Sequence, residues 1–242
     1  MNDDDRLILW QTPACWGAPS TSPFSIKLET WLRMAELPYE ARSLTRPPRS
    51  STGKIPYIER ADGSLLADSG VIIDALTRER GVTLDDGLTP RQRALATAIT
   101  RTLEDHFYWS LAWDRIAVDA HWRVTRAAYF VGLPWPLPTI APPVLRRGML
   151  RALHGQGFGR MPEAEIMDRV RRDLDALVEL IDGPDGVLGR PSSVDATVYG
   201  FLLAARCPPW DGPLQRAVNE RPALTGFCDA VARRVWGAPV ET

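Results

Sequence analysis

Cysteine is scarce in this chain, and its spacing excludes two kinds of site. The chain has three cysteines: Cys15, Cys207 and Cys228. They form no CxxC pair of the kind found in zinc and redox sites, and they do not suggest a disulfide scaffold. The three histidines add no metal-ligand pattern: His106, His121 and His154. We therefore expect a protein of a reducing compartment without a metal site.

An excess of charge of either sign is also lacking. The chain has 29 Lys and Arg against 30 Asp and Glu, a formal net charge of -1. This balance gives no electrostatic footprint for nucleic acid. No apolar run approaches the length that crosses a membrane, and the acidic start at Asn2–Asp5 is the opposite of a basic signal-peptide start. We expect a cytoplasmic protein with no nucleic-acid partner and no membrane segment.

Three common catalytic motifs are missing as well. The sequence has no GxSxG of serine hydrolases, no Walker A loop and no HExxH of zinc proteases. The glycines of Gly155–Gly159 have the wrong spacing for a dinucleotide fingerprint and follow no strand. We interpret this segment as a loop between helices, and hydrolase, nucleotide-binding and zinc-protease functions are unsupported.

The first third of the chain has an α/β pattern. With 242 residues and 45% hydrophobic content, the chain can bury a substantial core. The predicted elements follow in this order: strand Arg6–Trp10, helix Ser22 to Ala35 or Glu36, strand Tyr39–Leu44, strand Lys54–Glu59, strand Ser64–Ala67 and helix Asp68 to about Gly81. The strand–helix–strand unit predicts a parallel pair of strands. Asp62-Gly63 predicts a hairpin that adds an antiparallel strand.

After Gly87 the pattern indicates only helices, separated by Pro and Gly breaks. The predicted helices are Thr89–Asp119, His121–Val131, Val144–His154, Pro162–Asp182, Ser192–Arg206 and Ala223–Trp236. The Pro-rich segment Leu133–Pro143 is predicted as a break. Ser192–Arg206 is mostly apolar all round, which is typical of a buried helix. We predict two domains: a mixed α/β domain over residues 1–82 and an all-helical domain over residues 89–242, with the boundary at about 82–89.

Ser22 begins the first predicted helix. Its hydroxyl can accept a hydrogen bond from a free N–H of the helix, and Pro23 suits the first helical position. Phe24, Leu28 and Trp31 recur at helical spacing, so one face packs inward. A hydroxyl at the positive end of a helix can stabilise a developing anion such as a thiolate.

Two further features resemble parts of a known site. Pro56 begins a predicted strand, where a cis proline would leave the backbone groups of Ile55 free to pair with a ligand. Asp68 and Ser69 cap the next helix, with a hydroxyl and N–H groups that could hold a carboxylate. With Ser22, these features resemble in order and spacing the glutathione site of thioredoxin-fold glutathione transferases.

The second half agrees with this resemblance. Ser192-Ser193-Val194-Asp195 is a capping box that resembles the Ser/Thr-x-x-Asp box of the helical transferase domain. Ser22–Met34, Gly155–Arg160 and Pro191–Ala196 are similar to the superfamily branch that includes failed-axon-connections proteins and metaxins. The resemblance spans nearly the whole chain and implies a thioredoxin-like domain followed by an all-helical domain.

The resemblance also implies roles for individual residues. Ser22 would hydrogen-bond the sulfur of glutathione, the co-substrate, and favour its thiolate, which is the nucleophile. Ile55 would pair its backbone with the cysteinyl part of glutathione, with Pro56 setting the geometry. Asp68 and Ser69 would hold the γ-glutamyl end.

The sequence departs from the family pattern in two places. The loop before Ser22 is longer than in many transferases, and the segment after the second strand resembles a loop instead of a helix. The usual contacts to the glycine of glutathione would then be missing or rearranged. Ser22 replaces the Cys of the thiol-transfer classes, and Cys15 in the long loop is more often a small buried residue than a catalytic thiol.

A small hydrophobic electrophile would bind between the domains. Tyr108, Trp109 and Trp113 are spaced so that they can face this cleft, although interhelical core is the other interpretation. The sequence therefore favours a transferase in which glutathione thiolate attacks the electrophile with help from Ser22. Two alternatives stay open: a non-catalytic interaction module of the same fold, and a glutathione-dependent isomerase or lyase. The superfamily commonly forms dimers, so a homodimer is expected, but no interface is evident.

Overall fold

A four-stranded sheet forms the first part of the fold. The computed structural model describes residues 6–50, 52–183 and 185–237, so the acidic start at Asn2–Asp5 lies outside the described residues. The strands are β1 (Leu7–Gln11), β2 (Tyr39–Ser43), β3 (Tyr57–Glu59) and β4 (Leu65–Ala67), in the spatial order β2-β1-β3-β4. β1 pairs with β2 in parallel, and β3 pairs antiparallel with β1 and β4. The predicted parallel pair and hairpin are confirmed.

Two helices share a core with this sheet. They are α1 (Pro23–Met34) and α2 (Ser69–Arg80). Each has a side-chain cap at its start, and α2 ends as predicted at Gly81, which adopts a left-handed conformation with φ 63°. Buried residues from both helices and from β1 and β3 form one cluster: Leu7, Leu9, Leu28, Trp31, Leu32, Ile58, Ile72, Ile73 and Leu76. Ala196, from a helix later in the chain, joins it.

The rest of the described chain is helical. Its elements are α3 (Pro90–Arg101), a π-helical segment Thr102–Phe107, α4 (Tyr108–Ala112), a π-helical segment Trp113–Ala117, α5 (Asp119–Tyr129), α6 (Leu137–Gln156), a 3₁₀ turn Phe158–Arg160, α7 (Glu163–Leu180), α8 (Ser193–Arg206), α9 (Pro213–Asn219), α10 (Pro222–Val231) and a π-helical segment Ala232–Trp236. The long helix predicted from Thr89 is confirmed, with two π-helical interruptions. α8 is buried along almost its whole length, as predicted.

Two predictions of element bounds were wrong, and one helix was missed. β3 begins at Tyr57, because Pro56 has no N–H for a strand ladder and the carbonyl of Lys54 accepts from the Ser50 hydroxyl at 2.6 Å. α6 begins at Leu137 and includes three prolines of the predicted break, Pro138 in the first turn and Pro142 and Pro143 further in, since the φ of proline is already helical. α9 was not predicted, because seven residues are too few to show a period.

The sheet part and the helical part pack closely against each other through α1 and α8. A Cβ on Gly200 of α8 would lie 2.8 Å from the backbone N of Lys27 and the carbonyl O of Pro23, so only glycine permits this approach. The Trp31 indole donates to the Ser193 hydroxyl at 3.0 Å. Lys27 forms a buried ion pair of 2.6 Å with Glu104. The packing therefore fixes the start of α1 against the helical part.

Candidate functional site

Three segments meet at one end of the sheet. Tyr57, the first residue of β3, pairs with Trp10 near the end of β1 and with Ala67 at the end of β4. Three segments therefore lie at the same edge: the one that follows β1, the one that precedes β3 and the one that follows β4. Because β1 and β2 are parallel, the connecting helix α1 must also begin at this edge. The topology thus brings together Ser22, Ile55-Pro56 and Asp68-Ser69.

Ser22 is the N-cap of α1, as predicted from its neighbour Pro23. Its backbone is extended, with φ -94° and ψ 125°, and its Oγ accepts from the backbone N–H of Ser25 at 3.4 Å. The side chain is half-buried. A hydroxyl has one hydrogen to donate, and that of Ser22 has no acceptor among the described residues. A ligand atom at the positive end of α1 can therefore receive it.

Hydroxyl groups hold the long loop before Ser22 in place. Thr12 Oγ1 lies 2.6 Å from Ser20 Oγ and accepts from the backbone N–H of Thr21 at 3.0 Å. Ser20 Oγ in turn accepts from the backbone N–H of Ser22 at 3.2 Å. Earlier in the loop, Cys15 and Ala18 exchange two backbone hydrogen bonds of 2.9 Å. The loop is long, as the sequence predicted, and these hydrogen bonds give it a defined conformation.

Ile55 presents backbone groups at the same edge. The peptide bond between Ile55 and Pro56 is cis. The strand ladder starts only at Tyr57, and the N–H and C=O of Ile55 have no hydrogen-bond partner among the described residues. An extended ligand backbone could pair with them. The segment between β2 and β3 has no helix where it is described, as predicted.

Asp68 and Ser69 begin α2 in an unusual geometry. Asp68 has φ 77° and ψ 123°, which non-glycine residues rarely adopt. Its Oδ1 accepts from the N–H of Gly70 at 2.9 Å and of Val71 at 3.3 Å. Asp68 is exposed, whereas Ser69 is only 3% exposed. Backbone strain of this kind is concentrated at ligand sites, and here it sets a carboxylate beside the N–H groups of a helix start.

The three predicted aromatic residues occupy the long helix. Tyr108 packs on Phe24, two residues beyond Ser22, with ring centroids 5.2 Å apart, and Trp109 contacts Tyr108 at 5.4 Å. Trp109 and Trp113 are half-buried against the helical core. Burial raises the pKa of Tyr108 to about 12, and Tyr129 adds to the effect, so its hydroxyl is protonated at neutral pH.

Sequence reasoning missed Arg115, which supports the loop before Ser22. It lies in the second π-helical segment and is only 3% exposed. Its guanidinium donates to the carbonyls of Thr21 and Ala204 and, at 3.0 Å, to the Tyr129 hydroxyl. π-helical segments often occur at functional sites, but nothing in the sequence marks this one, because its partners are distant along the chain.

An aromatic cluster beside Arg115 was also missed. The guanidinium carbon of Arg115 lies 5.6 Å from the centroid of the Trp16 ring, and Trp16 contacts Trp210 edge-on at 5.4 Å. His121 stacks on Trp210 at 4.5 Å, and its Nδ1 lies 3.1 Å from Asp114 Oδ1. Trp210 donates to Asp114 Oδ2 at 3.1 Å. Burial raises the pKa of Asp114, and the neighbouring His121 opposes this.

Cys15 does not have the properties of an activated thiol. Burial raises its pKa to about 11 and Cys207 adds to the rise, against a lowering effect of Arg115. A reactive cysteine needs the opposite shift, because the thiolate is the nucleophile. Among residues 6–50, 52–183 and 185–237, no three or more His, Cys, Asp and Glu side chains form a group that could hold a metal ion.

Comparisons with known proteins identify the family. The glutathione S-transferase N-terminal domain family matches residues 23–122, and the corresponding C-terminal domain family matches residues 170–231. Isoprene-epoxide–glutathione S-transferase from Rhodococcus sp. (strain AD45) is 30% identical over 227 residues, which cover 90% of this chain and 94% of that protein. The chain belongs to the glutathione S-transferase superfamily.

Other relatives confirm the predicted branch of this superfamily. Failed axon connections from Drosophila melanogaster is 29% identical over 83% of this chain and 50% of its own length. Metaxin-1 from Macaca fascicularis is 26% identical over 88% of this chain and 70% of its own length. The relatives of this chain therefore include one protein that is named a transferase and two that are not.

Solved structures confirm the predicted fold class. A glutathione transferase from Phanerochaete chrysosporium aligns with a TM-score of 0.64 at 14% identity, over 94% of this chain and 96% of that one. Glutaredoxin 2 from Salmonella typhimurium, solved in complex with glutathione, aligns with a TM-score of 0.58 at 15% identity, over 97% and 96% of the two chains. The fold is a thioredoxin-like domain followed by a transferase-type helical domain.

Proposed function

We propose that this protein is a glutathione transferase in which Ser22 activates the thiol of glutathione. The observation that carries the proposal is the meeting of Ser22, Ile55-Pro56 and Asp68-Ser69 at one edge of the sheet. The Ser22 hydroxyl and the α1 N-terminus both favour the thiolate over the thiol. We propose a cytoplasmic location and a homodimer for this enzyme, following the superfamily.

The site has groups that complement each part of glutathione. The N–H and C=O of Ile55 would pair with the cysteinyl backbone, which carries one donor and one acceptor of its own. The hydroxyl and backbone N–H of Ser69 would bind the γ-glutamyl carboxylate, and the exposed Asp68 would attract its ammonium group. Helix starts bind anions in this way in many proteins.

A small epoxide is the electrophile that we would test first, since a relative is named for an isoprene epoxide. In this reaction the sulfur forms a bond to a ring carbon while the carbon–oxygen bond breaks. The oxygen then needs a proton, and the thiol proton has left to water. Tyr108 is the candidate donor: its hydroxyl is protonated at neutral pH and its ring lies against Phe24, two residues after Ser22. The raised pKa makes it a weaker acid than free tyrosine, but the alkoxide of an opened epoxide is a stronger base than a phenolate and would still take the proton.

Calorimetry with glutathione tests the proposal on wild type, Ser22→Gly and Ser25→Ala. Glycine keeps most N-cap stability, so Ser22→Gly removes the hydroxyl with little loss of helix. Ser25→Ala is the matched control, because the Ser25 hydroxyl lies in the same helical turn and is buried without a hydrogen-bond partner among the described residues. We expect wild type to bind glutathione with a Kd near millimolar or tighter.

The thiolate absorbance of bound glutathione across pH gives the second measurement. We expect a lowered thiol pKa in wild type and in Ser25→Ala, and a pKa about one unit higher in Ser22→Gly. Turnover of the epoxide should fall about 100-fold in Ser22→Gly, as when an anion-stabilising donor is removed elsewhere. Absence of glutathione binding would reject the transferase function and favour the interaction module.

A further inference from the structure

The segment from Ala120 to Pro162 has a composition unlike the rest of the chain. It contains no Asp or Glu and six arginines: Arg123, Arg126, Arg146, Arg147, Arg151 and Arg160. The whole chain has nearly equal numbers of acidic and basic residues. The segment therefore has a net positive charge because acidic residues are absent from it, although the net charge of -1 for the whole chain does not reveal this.

The same segment carries most of the exposed large apolar side chains of the described residues. Seven of nine lie within it: Val124, Val131, Trp135, Ile140, Val144, Leu145 and Leu150. Trp135, in the turn before α6, is 86% exposed, and Val144 is 66% exposed. Apolar side chains scattered singly need no explanation, but a cluster of them marks an interaction surface.

Helical spacing places four of these residues on one side of α6. Pro142 and Leu153 are buried, and Arg146 holds the same side by donating to the carbonyl of Ile116 at 3.1 Å. Ile140, Val144, Arg147 and Arg151 recur at spacings of four, three and four, so they share the opposite side. We give the name basic apolar face to these four residues, to Leu150, which lines a groove with Arg147 and Arg151, and to Trp135 in the turn just before α6.

The two arginines of this face have no ion-pair partner in the part of the chain that is described. Arg146 on the inner side pairs with Asp119, whereas no carboxylate of residues 6–50, 52–183 and 185–237 lies within ion-pair distance of Arg147 or Arg151. These two residues, with Leu150 and His154, also line a shallow groove of about 640 Å³ along α6. The charge of the face is thus available to an anionic partner.

We propose that the basic apolar face docks on the surface of a membrane that contains anionic lipids. Arginine side chains would pair with lipid phosphates, and the protruding Trp135, Ile140 and Val144 would enter the boundary between headgroups and acyl chains. A second copy of the chain is a poor occupant, because it would set arginines against arginines. None of the described helices is long and apolar enough to cross a membrane, so the contact is peripheral.

Co-sedimentation of the full chain with lipid vesicles tests this docking. We expect binding to phosphatidylcholine vesicles that contain phosphatidylserine, none to pure phosphatidylcholine, and release as salt is raised. The double variant Arg147→Glu/Arg151→Glu should bind more than about 20-fold more weakly, because each removed cation alone accounts for about fivefold. Trp135→Ala should weaken binding at constant charge.

A matched control separates this face from overall charge. Arg91→Glu/Arg172→Glu makes the same change of net charge at exposed positions of α3 and α7, and it should bind like wild type. The proposal is overturned if both double variants lose vesicle binding equally, or if wild type does not bind the anionic vesicles at low salt. Retention of the chain by an acidic polypeptide such as polyglutamate, without vesicle binding, would assign the face to a protein partner instead.

Discussion

Arg115 links three segments that are far apart in sequence: the loop before Ser22 through the carbonyl of Thr21, α5 through Tyr129 and α8 through the carbonyl of Ala204. We expect Arg115→Met to lower the free energy of unfolding by about 2–4 kcal/mol, because buried carbonyls would lose a charged donor. Denaturant unfolding measures the change.

The control for this prediction is an arginine at the surface. Arg169 pairs with Glu165 one turn away on α7, and both side chains are at least 40% exposed. Arg169→Met should unfold like wild type, because exposed pairs add little. If Arg115→Met were as stable as Arg169→Met, the hydrogen bonds of the Arg115 guanidinium would add nothing to the free energy of unfolding.

Individual residues differed in how far the sequence could identify them. Ser22 and Asp68 could be identified as helix caps from the sequence, because a cap depends on residues within one helical turn. Arg115, Trp16 and Trp210 were not, because their contacts join segments about 90 to 195 residues apart in sequence, a property of the folded chain alone. The function of the predicted site residues stays a prediction until glutathione binding is measured.

At the scale of elements, local signals explain most of the agreement. The caps of α1, α2 and α3 and the glycine after α2 all act within a few residues. α6 was predicted too short, because two prolines normally end a helix, but here each follows residues already in helical conformation. The π-helical segments could not be predicted, because their residues differ little from those of an α-helix.

The capping box that begins α8 gives an element-scale prediction. Asp195 is fully buried, and its carboxylate accepts from the N–H of Val187 at 2.8 Å and of Ser192 at 3.2 Å. Burial outweighs these bonds and raises its pKa to about 6. A raised pKa means that the folded state binds the proton more tightly, so stability falls as pH rises from about 4 to above 6, by up to about 3 kcal/mol.

Asp195→Asn removes this titration, although it also loses the acceptor for Ser192. The stability advantage of wild type over the variant should therefore shrink as pH rises from about 4 to 7. Denaturant unfolding of both proteins over this range measures it. An advantage that grows with pH would show that the two N–H groups and Arg234, 3.6 Å away, outweigh burial.

At the scale of the whole molecule, the sequence predicted the two parts but not how they join. The boundary at residues 82–89 stays a prediction, and this segment is tied to the start of α8. Asp85 Oδ1 accepts from the backbone N–H of Ser193 at 2.8 Å, and Arg190 donates to the carbonyl of Asp86 at 2.8 Å. A buried helix was evident from the composition of Ser192–Arg206, but its partner α1 was not, because apolarity alone does not specify a neighbour.

Gly200 tests whether this junction supports the candidate site. A methyl group there would press on the backbone of Lys27 and on the carbonyl of Pro23, the residue after Ser22. We expect Gly200→Ala to lower the free energy of unfolding by about 1–3 kcal/mol and to weaken glutathione binding. Gly226→Ala in α10 is the control, because a Cβ there meets nothing within 4 Å and should stabilise the helix by about 0.5–1 kcal/mol. If Gly200→Ala were as stable as wild type and bound glutathione equally, α1 would be free to shift without moving Ser22, and the site would not depend on the junction.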